Sequence, residues 1–363
     1  MKIVYIIEDF SIKGGAERIV SEKASTLAAD YGHEVTIVSI YKDKRPPSYP
    51  VAANVKIISL DIPFPNHEGN AVKRLINRFS TLIHTVKKLN ATLAIIKPDT
   101  TFFTMVVGAL ALPFAKNAGK RIYESHSARK FTPFHNLFFM MERHADTVVC
   151  LTEDDAQEYR HAKHCVVIPN FIEEPCHTVK DYSKKSAIAV GRLEEVKGFD
   201  RLIKMWKTIA LTHPDWHLDI YGDGTEKDRL QERINKYNLS DKITLCGRSD
   251  NIQEKYAEHS LHVMSSRYEG LGMVMIEANA CGLPSVSFNF EYGASDILKD
   301  GENGLLVPQN DREMFIKAVE QLMDNENLRA TMGKKAATMA HRYYKENIIE
   351  KWNRLLDGIM RRQ

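Results

Sequence analysis

Short apolar runs alternate with stretches of helical period along the whole chain. In the first half, Ile3–Ile7, Val35–Ile40, Val55–Leu60, Thr101–Met105, Arg121–Ser125, Thr147–Leu151 and Val166–Pro169 read as strands. Several are almost continuously apolar, the pattern of strands covered on both faces of a parallel sheet. Between the first two lies Ala16–Ala29, where Ala16, Ile19, Val20, Ala24 and Leu27 recur at helical spacing. Strand, helix and strand at this separation make a βαβ unit, and its repetition predicts a doubly wound α/β sheet. The rhythm breaks over Pro169–Lys185, which holds two prolines, no apolar period and the polar run DYSKK at 181–185. Such a stretch reads as a linker. Strands then resume at Ser186–Val190, His217–Tyr221, Ile243–Cys246, Leu261–Met264, Pro284–Phe288 and Leu305–Val307, with helices between. The last segment, Tyr343–Met360, is helical by period through Ile348, Ile349, Trp352, Leu355, Leu356 and Ile359. The expected architecture is two Rossmann-like parallel-sheet domains facing across a cleft, at 1–170 and 186–342. A linker at 171–185 joins them and a closing helix spans 343–363.

A length of 363 residues suits two such domains, and 44% apolar with 27% charged residues excludes collagen-like, disordered and coiled-coil classes. The five cysteines (Cys150, Cys165, Cys176, Cys246, Cys281) are scattered with no Cys-x-x-Cys pair. That argues against a disulfide framework or a zinc site and fits a reducing cytoplasm. Ile3–Ile7 meets acids at Glu8 and Asp9 and is too short for a secretory h-region, and Thr100–Ala115 is interrupted by Gly108 and Pro113. No bilayer span is expected. The formal net charge of +3 is uninformative until it is split. Residues 1–150 hold 20 basic and 13 acidic side chains, and residues 151–363 hold 30 and 34. Within 70–130 the ratio is 11 to 2, a basic first domain that suits an anionic membrane or a phosphate-bearing ligand better than nucleic acid. Asn70–Asn90 concentrates this charge: Val72, Leu75, Ile76, Phe79, Leu82, Ile83, Val86 and Leu89 form one face beside Lys73, Arg74, Arg78, Lys87 and Lys88, with no acid. Such a helix either lies on an anionic lipid surface or packs its stripe on the sheet.

In open parallel sheets ligands bind beyond the carboxyl ends of the strands, and four loops there carry candidate chemistry. Gly14-Gly15 opens the first helix, where free N–H groups can face an anion, or where a tight connection simply precedes an ordinary helix. Gly191-Arg192-Leu193 and Lys197-Gly198 place two cations near a strand end and a helix start, suited to phosphate, although Glu194 and Glu195 could balance them as a solvated pair. Glu269-Gly270-Leu271-Gly272 leads into an apolar helix that contains Glu277 and stops at Gly282-Leu283-Pro284. Sugar hydroxyls would satisfy Glu277, and the glycines expose N–H groups at the positive end of the helix; alternatively Glu277 faces solvent. His126 ends the strand Arg121–Ser125, a position that raises an otherwise structural histidine to a candidate.

Taken together, Gly14-Gly15-Ala16-Glu17, His126, Gly191-Arg192-Leu193, Lys197-Gly198, Tyr221-Gly222-Asp223-Gly224 and the block Glu269-x7-Glu277 resemble the retaining family 4 glycosyltransferases over nearly the whole chain. The resemblance implies a GT-B fold and a nucleotide-diphosphate sugar donor, UDP-linked by preference, held mainly by the C-terminal domain. It implies a saccharide or lipid-linked saccharide acceptor on the N-terminal domain, and a final helix crossing back to that domain. By matching positions, Arg192 and Lys197 would bind the diphosphate with the N–H groups of Gly15 and of Gly270, Leu271 and Gly272. Glu277 would bind the ribose, the Gly247-Arg248 loop would flank the base, and Glu269 and His126 would touch the transferred sugar. Two departures stand out: Asp296 where relatives carry Glu, and Ser127 where many carry Asp. No metal and no separate cofactor are expected, because Glu153-Asp154-Asp155 follows Thr152 as a helix-capping pattern. The expected activity is hexosyl transfer in bacterial surface polysaccharide synthesis, in the cytoplasm or at the inner face of the cytoplasmic membrane. A nucleotide-sugar epimerase or a non-catalytic nucleotide-sugar-binding subunit would share the same fold.

Overall fold

The computed structural model describes residues 1–41, 45–65 and 70–361. The chain divides into two compact units: Met1–Ile168 with the stretch from Lys351 onward, and Pro169–Glu350. In the first unit seven strands form one sheet: β1 Lys2–Ile7, β2 Glu34–Tyr41, β3 Lys56–Ile62, β4 Thr100–Thr104, β5 Lys120–Glu124, β6 Thr147–Cys150 and β7 Cys165–Val167. Their order is β3-β2-β1-β4-β5-β6-β7, and every pair is parallel. The near-continuous apolar strands follow from helices covering both faces, so Ile3, Val4, Tyr5, Ile6 and Ile7 are all fully buried. Strand order reverses between β1 and β4.

The second unit repeats this plan with β8 Ser186–Val190, β9 His217–Tyr221, β10 Ile243–Gly247, β11 Leu261–Met264, β12 Ser285–Asn289 and β13 Gly304–Pro308. The order is β10-β9-β8-β11-β12-β13, again all parallel, with the reversal between β8 and β11. The fold class is therefore the expected one, two Rossmann-like parallel-sheet domains of the GT-B type. Each predicted strand is present, with ends moved by one or two residues. The core beneath the second sheet gathers Leu202, Ile203 and Trp206 of the helix Phe199–Thr212 against Leu218, Ile220 and Phe288.

The segment 171–185 has no regular structure, yet it is not a loose tether. Ile172 bridges to Tyr344, the Val179 N–H donates to the Cys281 carbonyl at 2.8 Å, and the Tyr182 hydroxyl donates to the Gly282 carbonyl at 2.7 Å. It belongs to the second unit, held there by these hydrogen bonds and by the buried side chains of Phe171, Ile172 and Tyr182. The last helix spans Lys345–Arg361, and Trp352 packs edge-on against Phe102 of β4 with ring centroids 5.6 Å apart. The helix Ala71–Ile96 splits in character. Leu89 and Leu93 are fully buried against the sheet, whereas Val72, Leu75, Ile76, Phe79 and Ile83 are all more than half exposed. Packing on the sheet thus holds for the C-terminal half of the stripe, and the N-terminal half is left exposed.

A polar group also lies inside the second sheet. His262 of β11 is fully buried; Ser285 Oγ donates to Asn279 Oδ1 at 2.9 Å, so His262 Nδ1–H donates to Ser285 Oγ at 2.9 Å. Its Nε2 has no hydrogen-bond partner among the described residues. A proton there would be unsolvated, and burial holds the ring down to about 3. An unfolded chain takes up that proton below about 6.5 and the folded chain does not until near 3. The stability is therefore full above pH 6.5 and falls as pH drops, by about 1.4 kcal/mol per pH unit. Urea unfolding should lose about 2 kcal/mol between pH 6.5 and 5 from this group, and His262→Gln should flatten the slope; identical slopes in the two proteins would contradict the assignment.

Candidate active site

The reversal between β8 and β11 puts two loops side by side, and a set of hydrogen bonds zips them together. The Arg267 N–H donates to the Val196 carbonyl at 2.8 Å, the Arg267 guanidinium to the Glu195 carbonyl at 2.6 Å, and Ser265 Oγ to the Gly198 carbonyl at 3.0 Å. Gly198 makes the approach feasible: its φ is +66°, and a Cβ there would sit 2.1 Å from the Ser265 carbonyl oxygen. Arg201, three residues on and 4% exposed, completes the join. It donates to the carbonyls of Ser265 and Ser266 at 2.7 and 2.6 Å and to Asn310 Oδ1 at 2.8 Å, with its guanidinium 4.2 Å from the Phe288 ring centroid. Burial first, and Arg267 second, lower Arg201 to about 10, so it stays a cation at neutral pH. Asp200 receives both arms of Arg267 at 2.9 and 3.0 Å; burial works against its charge, but these bonds outweigh it and lower its pKa.

On this scaffold Lys197 reaches Glu269. Its Nζ lies 2.7 and 2.9 Å from the two carboxylate oxygens, and Ser266 Oγ donates to Oε1 at 2.6 Å. Both side chains keep a small exposed surface, 16% and 12%. The stem of Lys197 passes over Gly191, where a Cβ would meet it at 3.4 Å. Next in the chain, Arg192 is exposed, and its side chain makes no hydrogen bond or ion pair among the described residues. Beyond Glu269, Gly272 takes φ +90° and opens the helix Met273–Ala280, whose first N–H groups have no side-chain cap. Glu277, one turn into that helix, is half-buried and faces Tyr256 and Cys281: burial first and Glu277 second raise both, Cys281 to about 12. Arg248 is exposed and paired to Asp223 Oδ2 at 3.3 Å, which brings the Gly247-Arg248 loop to the Tyr221–Gly224 loop. Exposed pairs of this kind add little stability.

In the first unit, His126 follows β5 by two residues. Its side chain is 6% exposed, with Nε2 3.6 Å from Glu124 Oε1. Neither ring nitrogen has a hydrogen-bond partner among the described residues. Burial lowers its pKa, Glu124 opposes and Lys23 adds to the lowering, so the ring is neutral at pH 7. Glu124 itself is held by Lys23, which is fully buried and lies 3.7 Å from the Trp352 ring centroid. Ser127, the departure beside the histidine, shares a 2.9 Å hydrogen bond with Thr132 Oγ1 and anchors the loop. Gly15 is the first residue of the helix Gly15–Ala29, and the environment there is acidic. The Glu17 carboxylate lies where a Gly14 Cβ would point, and burial first, then Asp9 and Glu8, raise its pKa. That acid cluster works against a phosphate at Gly15.

The sites named from sequence therefore fall into two sets. Arg192, Lys197, Arg248, Glu269, Gly270, Leu271, Gly272 and Glu277 cluster at the second sheet's carboxyl end, while His126 and Gly15 belong to the first. Asp155, of the acidic run after Thr152, accepts the Arg129 N–H at 2.7 Å, and its own N–H donates to Thr152 Oγ1 at 3.2 Å, so the run does cap a helix start. Sequence reasoning missed Arg201, Arg267 and Ser266 in the join, and Lys23 behind His126.

Two doubly wound parallel-sheet units in one chain make the GT-B fold. Residues 13–174 match the family described as Glycosyltransferase Family 4, and residues 171–339 match Glycosyl transferases group 1. An uncharacterized glycosyltransferase of Haemophilus influenzae is 30% identical over 366 residues, 98% of this chain and 99% of that protein. The chain belongs to this glycosyltransferase family. The amylovoran biosynthesis glycosyltransferase AmsD of Erwinia amylovora is 29% identical, covering 98% of this chain and 99% of its own. Sucrose-phosphate synthase from Thermosynechococcus elongatus shares the fold with a TM-score of 0.85 at 20% identity, over all of both chains.

Removing Lys23 tests the support behind His126. Lys23→Met leaves Glu124 buried without its cation and should cost about 3–5 kcal/mol in urea unfolding. Lys23→Met with Glu124→Leu should recover most of that loss; a single variant as stable as the parent would refute the pairing.

Proposed function

We propose that the protein is a retaining glycosyltransferase that moves a hexose or N-acetylhexosamine from a UDP-linked sugar to a lipid-linked saccharide acceptor in bacterial surface polysaccharide synthesis. The observation that carries this reading is the second unit's cluster: Lys197 bonded to Glu269 beside the exposed Arg192 and the uncapped helix start at Gly272. Lys197 uses two bonds on Glu269, which leaves its third N–H for a phosphate oxygen. In this reading Arg192, Lys197 and the N–H groups from Gly270 to Gly272 take up the charge that develops on the leaving diphosphate. Glu277 receives the ribose hydroxyls and the Gly247-Arg248 loop flanks the base. Glu269 and His126 contact the transferred sugar. The bond from the anomeric carbon to the diphosphate oxygen breaks as the acceptor oxygen bonds to the same face, and the acceptor's proton passes to the departing phosphate.

The charge stabilisation assigned here comes from side chains and backbone, so the reading needs no metal. The family relationship and the polysaccharide role of the Erwinia relative support the reaction class. The basic helix Ala71–Ile96 supports work at the inner face of the cytoplasmic membrane, and no helix among the described residues is long and apolar enough to cross one.

A screen of UDP- and GDP-sugars, read by nucleotide release and by sugar analysis, tests the assignment: free UDP supports transfer, and a new epimer with no free nucleotide defeats it. Each charge-assisted bond to phosphate is worth about 1.5–3 kcal/mol. Arg192→Ala with Lys197→Ala should therefore lower donor turnover at least about 100-fold with the fold retained by circular dichroism; near-parental transfer would sink the proposal. Excess chelator should leave the rate unchanged.

A further inference from the structure

The strand order of the first sheet reverses between β1 and β4, and a cavity of about 540 Å³ opens at that reversal. Glu8, which directly follows β1, lines it together with Val106 and Val107, which follow β4, and Tyr41, which ends β2. Reversal points are where open parallel sheets hold ligands, and the volume is that of a small-molecule site. Its chemistry is one-sided. Apart from Glu8 and Arg78 the wall is built almost wholly of aliphatic side chains, prolines and aromatic rings. The Glu8 carboxylate is turned to the backbone, where it accepts the Val107 N–H at 2.9 Å, and burial raises its pKa. The interior thus offers an apolar ligand little polar competition.

The cavity continues to the surface along the helix Ala71–Ile96. Leu75 and Phe79 line it and are also 63% and 65% exposed, so the apolar wall runs out to the mouth. At that mouth stands Arg78, exposed, with its guanidinium 5.4 Å from the Phe134 ring centroid. Arg74 lies one turn before Arg78 on the same helix, which carries no acid. An apolar interior behind a cationic mouth matches one ligand class: a single hydrocarbon chain ending in a phosphate. A bilayer surface could cover the outer face of the helix but not fill an indented cavity, and a second copy of the chain would have to supply an anionic apolar projection. His126 lies at the same end of this sheet, two residues past β5, and β5 neighbours β4.

We propose that this cavity seats the hydrocarbon chain of a lipid-linked acceptor, with Arg78 meeting the phosphate that joins the chain to its saccharide. The proposal rests on the glycosyl-transfer reading above and names the acceptor's anchoring site.

The test uses the full chain and dodecyl phosphate below its micellar concentration, followed by calorimetry. The parent should bind one equivalent saturably. Val107→Trp and Leu110→Trp, which each fill the cavity from a separate wall position, should weaken binding at least tenfold; two are used so that one misfolded variant does not decide the matter. Arg78→Gln should weaken dodecyl phosphate about tenfold but leave octaethylene glycol monododecyl ether, which has the same chain and a neutral head, unaffected. Parental affinity in the folded filling variants would overturn the proposal. So would inorganic phosphate binding as tightly as dodecyl phosphate, or a loss seen only with Val72→Ser and Ile76→Ser, which lie on the outer face and would mark a bilayer contact. Binding of UDP-glucose is measured in parallel and should be intact in the filling variants. No nucleotide-sugar binding in any protein, with dodecyl phosphate still bound in the cavity, would defeat the transfer reading and leave the cavity assignment standing.

Discussion

One buried guanidinium holds the second unit's site in shape. The loop leaving β11 must turn beneath the helix Phe199–Thr212, and two of its carbonyls, Ser265 and Ser266, point into the protein where water does not reach. Unpaired, each would cost about 1–3 kcal/mol. Arg201 pairs with both, and its flat face rests on Phe288. Lysine could not do this, because an ammonium has neither the fork nor the plane. With that loop fixed, Arg267 can fork onto Asp200, Ser266 can reach Glu269, and Glu269 can reach Lys197. The Lys197–Glu269 contact of the proposed donor site is thus downstream of this one residue.

Each unit carries a lysine–glutamate pair at the carboxyl end of its sheet, and the two differ in burial. Lys23–Glu124 is sealed beneath three aromatic rings. Breaking such a pair strands a charge in low dielectric, so it serves as a fixed strut beside His126. Lys197–Glu269 keeps contact with solvent and with Ser266. In the proposed donor site these partners would be exchanged for phosphate oxygens and sugar hydroxyls, and their contact with solvent lowers the cost of that exchange. The same two residue types thus serve opposite ends, and water access decides which.

Much of this was legible in the sequence because parallel sheets write themselves as apolar runs. All thirteen strands could be placed by periodicity, and the helix that holds Glu277 by its glycine start and its stop at Gly282-Leu283-Pro284. Local signals for the missed residues also existed. Lys23 stands on the apolar stripe defined by Ile19, Ala24 and Leu27, and Arg201 lies in the first turn of a helix, the end that disfavours cations. Other features were not readable locally. The Lys197–Glu269 bond joins residues 72 apart. The cavity is built from six separate stretches of chain, so no window of sequence contains it. The acidity around Gly15 likewise arises because the fold brings Glu8 and Asp9 to Glu17, where the glycine pair alone suggested an anion site.

The strut beside His126 has a consequence for the order in which the protein is made. Trp352, whose ring covers Lys23, belongs to the first unit but lies beyond the whole of the second in the chain. On a ribosome, strands β1 to β7 emerge early and can pair, yet the roof over their buried ion pair arrives only after the second unit has been synthesised. At translation rates of about 5–20 residues per second that interval is on the order of 10–35 s. Through it the nascent first unit must keep an uncovered lysine and the rings of Tyr5 and Phe102 from other company. It is the first part of the protein to begin folding and the last to finish.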